Sequence, residues 1–291
     1  MENFPMNPSI QISTHPLNKS DQFILWFSRH WVLLVSILIG FYVLSPFLAP
    51  ALMQAGLTAP GKVIYWIYSY LCHQLPERSY FLFGPKISYS IGEIQSAWKN
   101  TNDIAVLRQF VGDPQMGWKV AWSDRMVSMF TSLWIFGMVW GLFRKKIRRL
   151  PWWGLILFLL PIAIDGTTHF LSDLAGLGQG FRDSNTWLAV LTNHSFAPSF
   201  YAGDAWGSFN AWMRLITGIF FGLGIVWFGF PYIHTAAMDS AEVVKYKSQQ
   251  QKLLQEGREH LAGIYTSQFN LPGNPNVMDD REMKVNDHEE Q

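Results

Sequence analysis

The sequence is short of charged residues and has a single cysteine. Asp, Glu, Lys and Arg make up only 15% of its 291 residues, whereas soluble domains carry about 25%. A net charge of +1 gives no support for nucleic-acid binding, which needs a basic face. The lone Cys72 excludes an intrachain disulfide framework. No internal repeat is visible, which disfavours an inverted-repeat transporter.

Charge is absent above all from the long apolar runs. No Asp, Glu, Lys or Arg occurs between Trp31 and Gly61. Roughly 20 apolar residues cross a hydrocarbon core of about 30 Å as a helix. Only helices and closed barrels satisfy their backbone hydrogen bonds in lipid, and period-2 alternation is missing here. We therefore predict an all-α fold, a polytopic integral membrane helical bundle. Its four long spans are Trp31–Met53, Met126–Phe143, Leu150–Ser172 and Leu215–Tyr232.

A fifth apolar segment, Val63–Leu75, is too short for an ordinary span. Lengths of about 10–14 residues are typical of re-entrant, interfacial or shielded core helices. The turn signal Ala59-Pro60-Gly61 precedes it and Pro76 follows it, so both ends are marked. We expect either a short re-entrant helix or a fifth span. The N-terminus is cytoplasmic in the first case and outside in the second.

The basic sequence Arg144–Arg149, in a short loop between two spans, is the strongest orientation signal. By the positive-inside rule this loop is cytoplasmic. We then predict a polar N-terminal segment at 1–30 and a transmembrane helical domain at 31–235. Its non-cytoplasmic loops lie near 77–124 and 173–210. The first long span is expected to be an uncleaved membrane anchor. A cytoplasmic tail at 236–291 is helical over Ala241–Tyr265 and disordered from Gln268 to Gln291. The expected location is the cell membrane.

Asp165 and His169 are ionisable residues inside the third long span, near its outer end. Their i, i+4 spacing puts both on one helix face. In lipid such residues face the bundle interior or a water-filled cavity and pair with one another. The pair is a candidate general base, metal half-site or proton relay. The alternative is an ion pair that fixes helix packing.

Cys72, His73 and Gln74 end the short apolar segment. His73, among polar groups at a helix terminus, is a catalytic candidate, whereas Cys72 alone is more typical of a small buried hydrophobe. Cys72, His73 and His169, with Asp165, have the chemistry of a zinc site. The paired C-x-x-C spacing that marks strong zinc sites is absent.

Three arginines, Arg78, Arg125 and Arg214, are expected near the outer interface. Guanidinium groups suit bidentate recognition of phosphate or carboxylate. Arg125 is therefore a catalytic candidate, and Arg78 and Arg214 are substrate-binding candidates together with Gln74. Equally, arginines at helix ends can snorkel and pair with acids such as Glu77, Asp124 or Asp165.

Two further features concern packing and loops. The outer loop over 176–207 exceeds the usual connection length, which is typical of a lid or binding loop. Its segment Thr186–Thr192 could instead form an interfacial helix. In the last span, Gly218 and Gly222 form a G-x-x-x-G pattern, by default a helix-packing surface.

The sequence CHQLPERSYFLFG, starting at Cys72, resembles the signature Cys-His-Gln-x-Pro-x-Arg-Ser of a prokaryotic membrane family called domain of unknown function 2085. Asp165-Gly166 after Pro161 and the segment Met213–Gly218 are also similar. The resemblance covers about Ile64–Phe230. It implies the helical membrane architecture and this set of residues, and no activity.

The chain departs from that family at one position. Many members carry a second cysteine in a Cys-x-Arg-Asp motif where the middle span begins, and this chain has Ser123 followed by Asp124 and Arg125. The resemblance therefore offers no second thiolate for a dithiol redox mechanism or a two-thiolate metal site.

Three functions remain open from the sequence. The first is a multi-pass membrane protein with a polar His/Asp/Arg site at the outer helix ends, acting on an amphiphilic, phosphate-bearing substrate. The second is an ion- or proton-binding or transport protein that uses Asp165 and His169. The third is a structural subunit, in a homo-oligomer or with a partner in a membrane complex. The lipid bilayer is a partner in all three, and whether the protein is an enzyme stays open.

Overall fold

The structure, a computed structural model, describes residues 18–268 of the chain. Four of the described helices are long and apolar enough to cross a membrane. They are α1 (Lys19–Gln54), α5 (Asp124–Phe143), α6 (Trp152–Asp173) and α10 (Phe209–Gln268). The predicted helical membrane bundle with four long spans is confirmed. The chain is therefore a multi-pass integral membrane protein.

The fourth long helix extends well beyond its predicted span. α10 is continuous over 60 residues with Pro231 inside it. The tail segment expected as a separate helix, Ala241–Tyr265, is part of α10. Its Ala, Glu, Lys and Gln residues are strong helix formers, which explains why no break intervenes. The segment predicted to be disordered lies almost wholly outside the described residues, as does most of the polar N-terminal segment.

The described chain divides into two compact units. Residues 29–236 form one, and residues 18–28 with 237–268 form the other. All residues discussed below as a site belong to the first unit. Its shorter helices are α2 (Thr58–Ser69), α3 (Ile91–Ala97), α4 (Ile104–Leu107), α7 (Phe181–Ser184), α8 (Thr186–Leu191) and α9 (Pro198–Tyr201). α8 coincides with the helix expected at 186–192 to within one residue.

Helix α2 begins and ends earlier than the sequence predicted. It covers Thr58–Ser69, so Pro60 lies in its first turn, where a missing N–H costs no helical hydrogen bond. Its 12 residues rise only about 18 Å, less than the hydrocarbon core requires. The chain then leaves the helix, and Gln74 takes a left-handed conformation with φ of 54°. His73 therefore lies in an irregular segment and not at a helix end.

A small antiparallel sheet, which the sequence reading did not foresee, connects α2 to α5. Its strands are β1 (Ser79–Leu82), β2 (Gly112–Asp113) and β3 (Gly117–Ser123), in the order β1-β3-β2. Ser79 pairs with Ser123, and the register shifts before Phe81 pairs with Lys119. Buried Val120, Ala121 and Trp122 join the apolar cluster that includes residues of α1 and α2. β3 continues directly into α5.

Helices α5 and α10 approach each other closely at the predicted glycine pair. A Cβ on Gly218 would lie 2.0 Å from Ser128 Oγ, and one on Gly222 would lie 2.5 Å from the backbone nitrogen of Leu133. Ser132 Oγ donates a hydrogen bond to the Gly218 carbonyl at 3.1 Å. The G-x-x-x-G pattern is confirmed as a helix-packing surface, and it fixes the start of α10 against the start of α5.

Candidate polar site

A cavity of about 170 Å³ lies beside the start of α5. It brings together five of the residues singled out in the sequence, namely Cys72, His73, Arg78, Arg125 and Arg214. The remaining lining residues are Leu71, Ser123, Asp124 and Met126.

The sheet explains why residues so far apart in sequence meet here. Arg78 ends a 3-10 turn (Pro76–Arg78) immediately before β1, and β1 starts with Ser79 paired to Ser123. Asp124 and Arg125 follow Ser123 as the first turn of α5. The strand pairing therefore sets Arg78 beside the α5 N-terminus, and the close α5–α10 contact adds Arg214.

Two of the arginines share a buried aspartate. Arg78 Nε lies 2.7 Å from Asp204 Oδ2, and Arg214 Nη1 lies 2.6 Å from Asp204 Oδ1. Arg78 also holds Asp173 with two bonds of 2.7 Å, and Arg214 Nε lies 2.8 Å from Asp124 Oδ2. Hydrogen bonds between two charged groups, such as these, are stronger than hydrogen bonds between neutral groups. They join the 3-10 turn, the loop before α10 and the helices α5, α6 and α10.

The electrostatics of Asp204 follow from this arrangement. Burial by itself raises the pKa of this carboxyl, but the guanidinium groups of Arg78 and Arg214 outweigh burial and hold the pKa well below its usual range. For Arg78 burial acts to lower the pKa, and the carboxylates of Asp204 and Asp173 raise it well above its ordinary value. The charge of each arginine therefore keeps the aspartate ionised, and the charge of the aspartate keeps the arginines ionised.

Asp165 lies between two other arginines. Arg125 Nη2 is 2.6 Å from its Oδ2, and Arg182 Nη2 is 2.7 Å from its Oδ1. His169 comes within 3.9 Å of Asp165, as the i, i+4 spacing predicts, but its Nε2 lies closer to Arg182 Nη2, at 3.0 Å. Asp165 is therefore primarily an arginine-binding carboxylate. The four arginines and the four aspartates Asp124, Asp165, Asp173 and Asp204 balance in charge.

Arg125 differs from the other three arginines in having unused donors. Its side chain is 22% exposed, whereas those of Arg78, Arg182 and Arg214 are 7%, 9% and 2% exposed. Its Nε is buried with no hydrogen-bond partner among the described residues. Arg125 is therefore the cavity arginine best able to donate to a ligand.

His73 adds a second donor. Its Nδ1 accepts a hydrogen bond from the Leu75 backbone N–H at 3.3 Å. His73 is exposed at the protein surface. Desolvation by the surrounding protein, with the nearby charges of Arg78 and Arg125, lowers its pKa below the ordinary 6.5, so the ring is neutral at pH 7. A neutral ring that accepts at Nδ1 carries its proton at Nε2. His73 can therefore donate to a bound anion.

The zinc ligands proposed from the sequence do not assemble. Among the residues that the structure describes, no three His, Cys, Asp or Glu side chains are grouped so that they could hold a metal ion. Cys72 Sγ instead accepts from the backbone N–H groups of Ser123 at 3.4 Å and Gln74 at 3.5 Å. Cys72 and His73 line the cavity and His169 does not. The donor set does not fit zinc, and we derive no metal chemistry from it.

Gln74, a substrate-binding candidate, is also directed elsewhere. Its side-chain amide donates to the Tyr65 carbonyl at 2.9 Å, and its own carbonyl accepts from Lys119 Nζ at 2.7 Å. It holds the irregular segment after α2 and is not among the cavity-lining residues. His169 is likewise buried, and its Nδ1 has no partner within residues 18–268.

Sequence reasoning missed three members of the ion-pair network: Asp173, Arg182 and Asp204. Arg182 is the one basic residue between Asp173 and Asn210, which was a usable signal. Asp204 lies among glycine and aromatic residues that suggested only a loop. Of the acids suggested as arginine partners, Asp124 and Asp165 do pair. Glu77 does not.

Glu77 and Lys119 are two further buried ionisable residues, and each acts electrostatically on the other. Glu77 is 4% exposed, and both its carboxylate oxygens lack hydrogen-bond partners in the described part of the chain. Burial raises its pKa to about 7. Lys119 is fully buried, donates to the Gln74 and Arg108 carbonyls, and has its pKa lowered by burial to about 7.

Comparison with known proteins places this helical membrane protein in a family. The model of the family described as "Predicted membrane protein (DUF2085)" matches residues 115–228. An uncharacterised protein of Methanocaldococcus jannaschii is 31% identical over 160 residues, which cover 52% of this chain and 77% of that protein. The chain belongs to this family of membrane proteins. No solved structure matches.

The matched segment contains most of the ion-pair network. All four aspartates, with Arg125, Arg182 and Arg214, lie within residues 115–228. The Cys-His-Gln sequence and Arg78 lie before it. The signature read at Cys72–Ser79 therefore stays a prediction.

Proposed function

We propose that the cavity binds the phosphate headgroup of an amphiphile whose apolar part remains in the bilayer. The observation that carries this proposal is Arg125, a partly exposed arginine that lines the cavity and whose Nε has no hydrogen-bond partner among the described residues. His73 supplies a neutral ring donor in the same wall. A cavity of about 170 Å³ has room for a phosphate group.

Charge balance in the network sets the character of this binding. Because each of the four arginines already faces an aspartate, the cavity offers directed N–H donors and little net positive charge. Hydrogen bonds to charged groups contribute about 1.5–3 kcal/mol each. We therefore expect selectivity for a phosphate over the corresponding alcohol, with a modest dependence on salt.

The cavity and the basic loop lie at opposite ends of α5. Asp124 begins this helix, and Arg144 directly follows its last residue, Phe143. Twenty helical residues rise about 30 Å, the thickness of a hydrocarbon core. With the basic loop in the cytoplasm, the cavity faces the non-cytoplasmic side. With four spans, both ends of the helical domain lie in the cytoplasm, and so does the tail. The membrane in this proposal is the cell membrane.

The test is a binding titration in mild detergent. Geranyl phosphate and geraniol are titrated by calorimetry into wild-type protein, Arg125→Gln and Arg258→Gln, the last being the same change at an exposed tail position. Wild type and Arg258→Gln should bind the phosphate and not the alcohol. Loss of an ionic hydrogen-bond donor should weaken binding in Arg125→Gln roughly 10- to 100-fold.

Equal affinity of wild type and Arg125→Gln, or no preference for phosphate over alcohol, would reject the proposal. The thermal unfolding midpoint of each variant shows whether it is folded. Because Arg125 is the most exposed of the four network arginines, its replacement should disturb the fold least.

A structural role is the second candidate, and the ion-pair network favours it. The network ties the beginnings of α5 and α10 to the end of α6 through buried pairs. In a structural subunit, Arg125→Gln would lower stability or partner retention and leave ligand titrations flat. The proton-transport alternative gains no such support, because both oxygens of Asp165 already accept from guanidinium groups.

A further inference from the structure

The loop between α5 and α6 carries cations that, unlike the cavity arginines, have no acidic partners in the part of the chain that the structure describes. Lys145, Lys146, Arg148 and Arg149 are exposed, and Arg144 is half-buried. None of these five residues takes part in a salt bridge within residues 18–268. The loop is therefore a concentrated positive charge that no acidic residue of the described chain neutralises.

An apolar groove ends at this loop. It lies between α5 and α10 and encloses about 260 Å³. Its lining side chains are all aliphatic or aromatic, and they include Phe136, Val139, Trp140, Ile147, Leu223 and Val226. An apolar groove among membrane-spanning helices has the chemistry of a site for a hydrocarbon chain.

The groove and the cations are joined by the chain itself. Ile147 lines the groove and has Lys146 and Arg148 as its neighbours in sequence. Trp227, also in the groove wall, donates from Nε1 to the Arg148 carbonyl at 2.8 Å and so holds the loop over the groove. Trp152 and Trp153, which follow the loop, are 69% and 56% exposed. Exposed Trp residues at a helix start are typical of the membrane–water interface.

We propose that this end of the protein binds one anionic glycerophospholipid, with an acyl chain in the α5–α10 groove and its phosphate among the cations of the loop. Each half of the site selects a different part of the ligand. A soluble anion has no apolar chain to fill the groove, and a neutral lipid has no net charge for the cations of the loop to bind. Basic pockets beside helix ends are suited to acidic headgroups. This proposal is independent of the polar cavity, which lies at the other end of α5.

The experiment measures lipid retention by native mass spectrometry of protein exchanged into mild detergent. The probes are dioleoyl phosphatidylglycerol and dioleoyl phosphatidylcholine, added in equal amounts. Wild type should retain one phosphatidylglycerol in clear preference to phosphatidylcholine. A triple variant, Lys145→Gln with Lys146→Gln and Arg148→Gln, should lose affinity for phosphatidylglycerol roughly a hundredfold, since each basic residue near such a headgroup contributes about fivefold.

A matched control removes three exposed cations elsewhere, by Lys245→Gln with Lys247→Gln and Lys252→Gln. This triple variant should retain phosphatidylglycerol like wild type. A further variant, Leu223→Trp, keeps every charge and fills the groove. It should weaken retention of the dioleoyl lipid by tenfold or more.

Three results would overturn the proposal. Equal retention of the two lipids by wild type would mean that the groove takes bulk lipid only. Equal losses in the two triple variants would mean that net charge alone attracts the lipid. Retention by Leu223→Trp at the wild-type level would mean that the groove holds no chain. Because the measurement is made on purified protein, a change of membrane orientation in the loop variant does not affect it.

Discussion

Glu77 should make the protein less stable as the pH rises from 4.5 to 7. Its carboxyl is buried without a hydrogen-bond partner in the described structure, and burial raises its pKa from 4.5 to about 7. Over that interval the folded state binds a proton that the unfolded state releases, so stability falls as pH increases. The loss is about 1.4 kcal/mol per pH unit, or roughly 3 kcal/mol in all.

The substitution Glu77→Gln should abolish this dependence. A neutral amide of the same shape takes the place of a carboxyl whose ionisation costs folding free energy. The variant should therefore match wild type at pH 4.5 and be more stable at pH 8. Lys119, whose pKa is lowered by burial from 10.5 to about 7, has the opposite effect at higher pH. Between pH 7 and 10.5 the unfolded chain binds more protons, and stability rises. Below pH 6.5 the lowered pKa of His73 acts in the opposite direction to Glu77. The contribution of Glu77 is therefore measured as the difference in stability between wild type and Glu77→Gln at each pH.

The assay is thermal unfolding in detergent between pH 4.5 and 8, followed by tryptophan fluorescence. A difference of about 3 kcal/mol corresponds to a midpoint shift of roughly 6–12 °C in a chain of this size. The control is Glu93→Gln, the same change at an exposed carboxyl paired with Lys86. It should keep the wild-type slope between pH 4.5 and 7. If Glu77→Gln also keeps that slope, or is less stable than wild type at pH 8, the reasoning is refuted.

Two further changes test the packing of the site. Asp204→Asn should cost about 3–5 kcal/mol, because it leaves two buried guanidinium groups short of their shared carboxylate; an unchanged unfolding midpoint would show that the pair is not coupled to folding. Gly222→Ala should cost at least 1–3 kcal/mol, since its Cβ would lie 2.5 Å from a backbone nitrogen of α5. Gly229→Ala, with nothing within 4 Å of the added carbon, should be neutral or slightly stabilising. Equal midpoints for the two alanine variants would contradict the close helix approach.

The long spans could be predicted from the sequence, because each residue of a span has to avoid the free-energy cost of placing a charge or an unpaired backbone group in lipid. This requirement leaves a local pattern in the sequence. The absence of charge from Trp31 to Gly61 is such a local signal, and the structure forms a helix across most of that range. The glycine pair at 218 and 222 could be read in the same way, because two small residues on one helix face permit close packing wherever the partner lies.

The short helix and the sheet could not be read in this way. Pro60 was taken as a turn marker, although a proline in the first turn breaks no helical hydrogen bond. In the irregular segment after α2, Gln74 has a left-handed conformation, and its carbonyl accepts a hydrogen bond from Lys119, 45 residues further along the chain. The strands are short, and their pairing of Ser79 with Ser123 is a long-range contact with no local pattern.

The sequence by itself determined that this is a membrane protein with four long spans. It also indicated a set of ionisable residues that would need partners or a function in lipid. It also identified Arg78, Arg125 and Arg214 as arginines of one region. The tertiary structure decided which acids those arginines face, with Asp204 and Asp173 arriving from a loop and a helix end that carry no motif. The physical reason is that burying an apolar run is decided residue by residue along the chain, whereas a buried ion pair exists only where two distant segments meet.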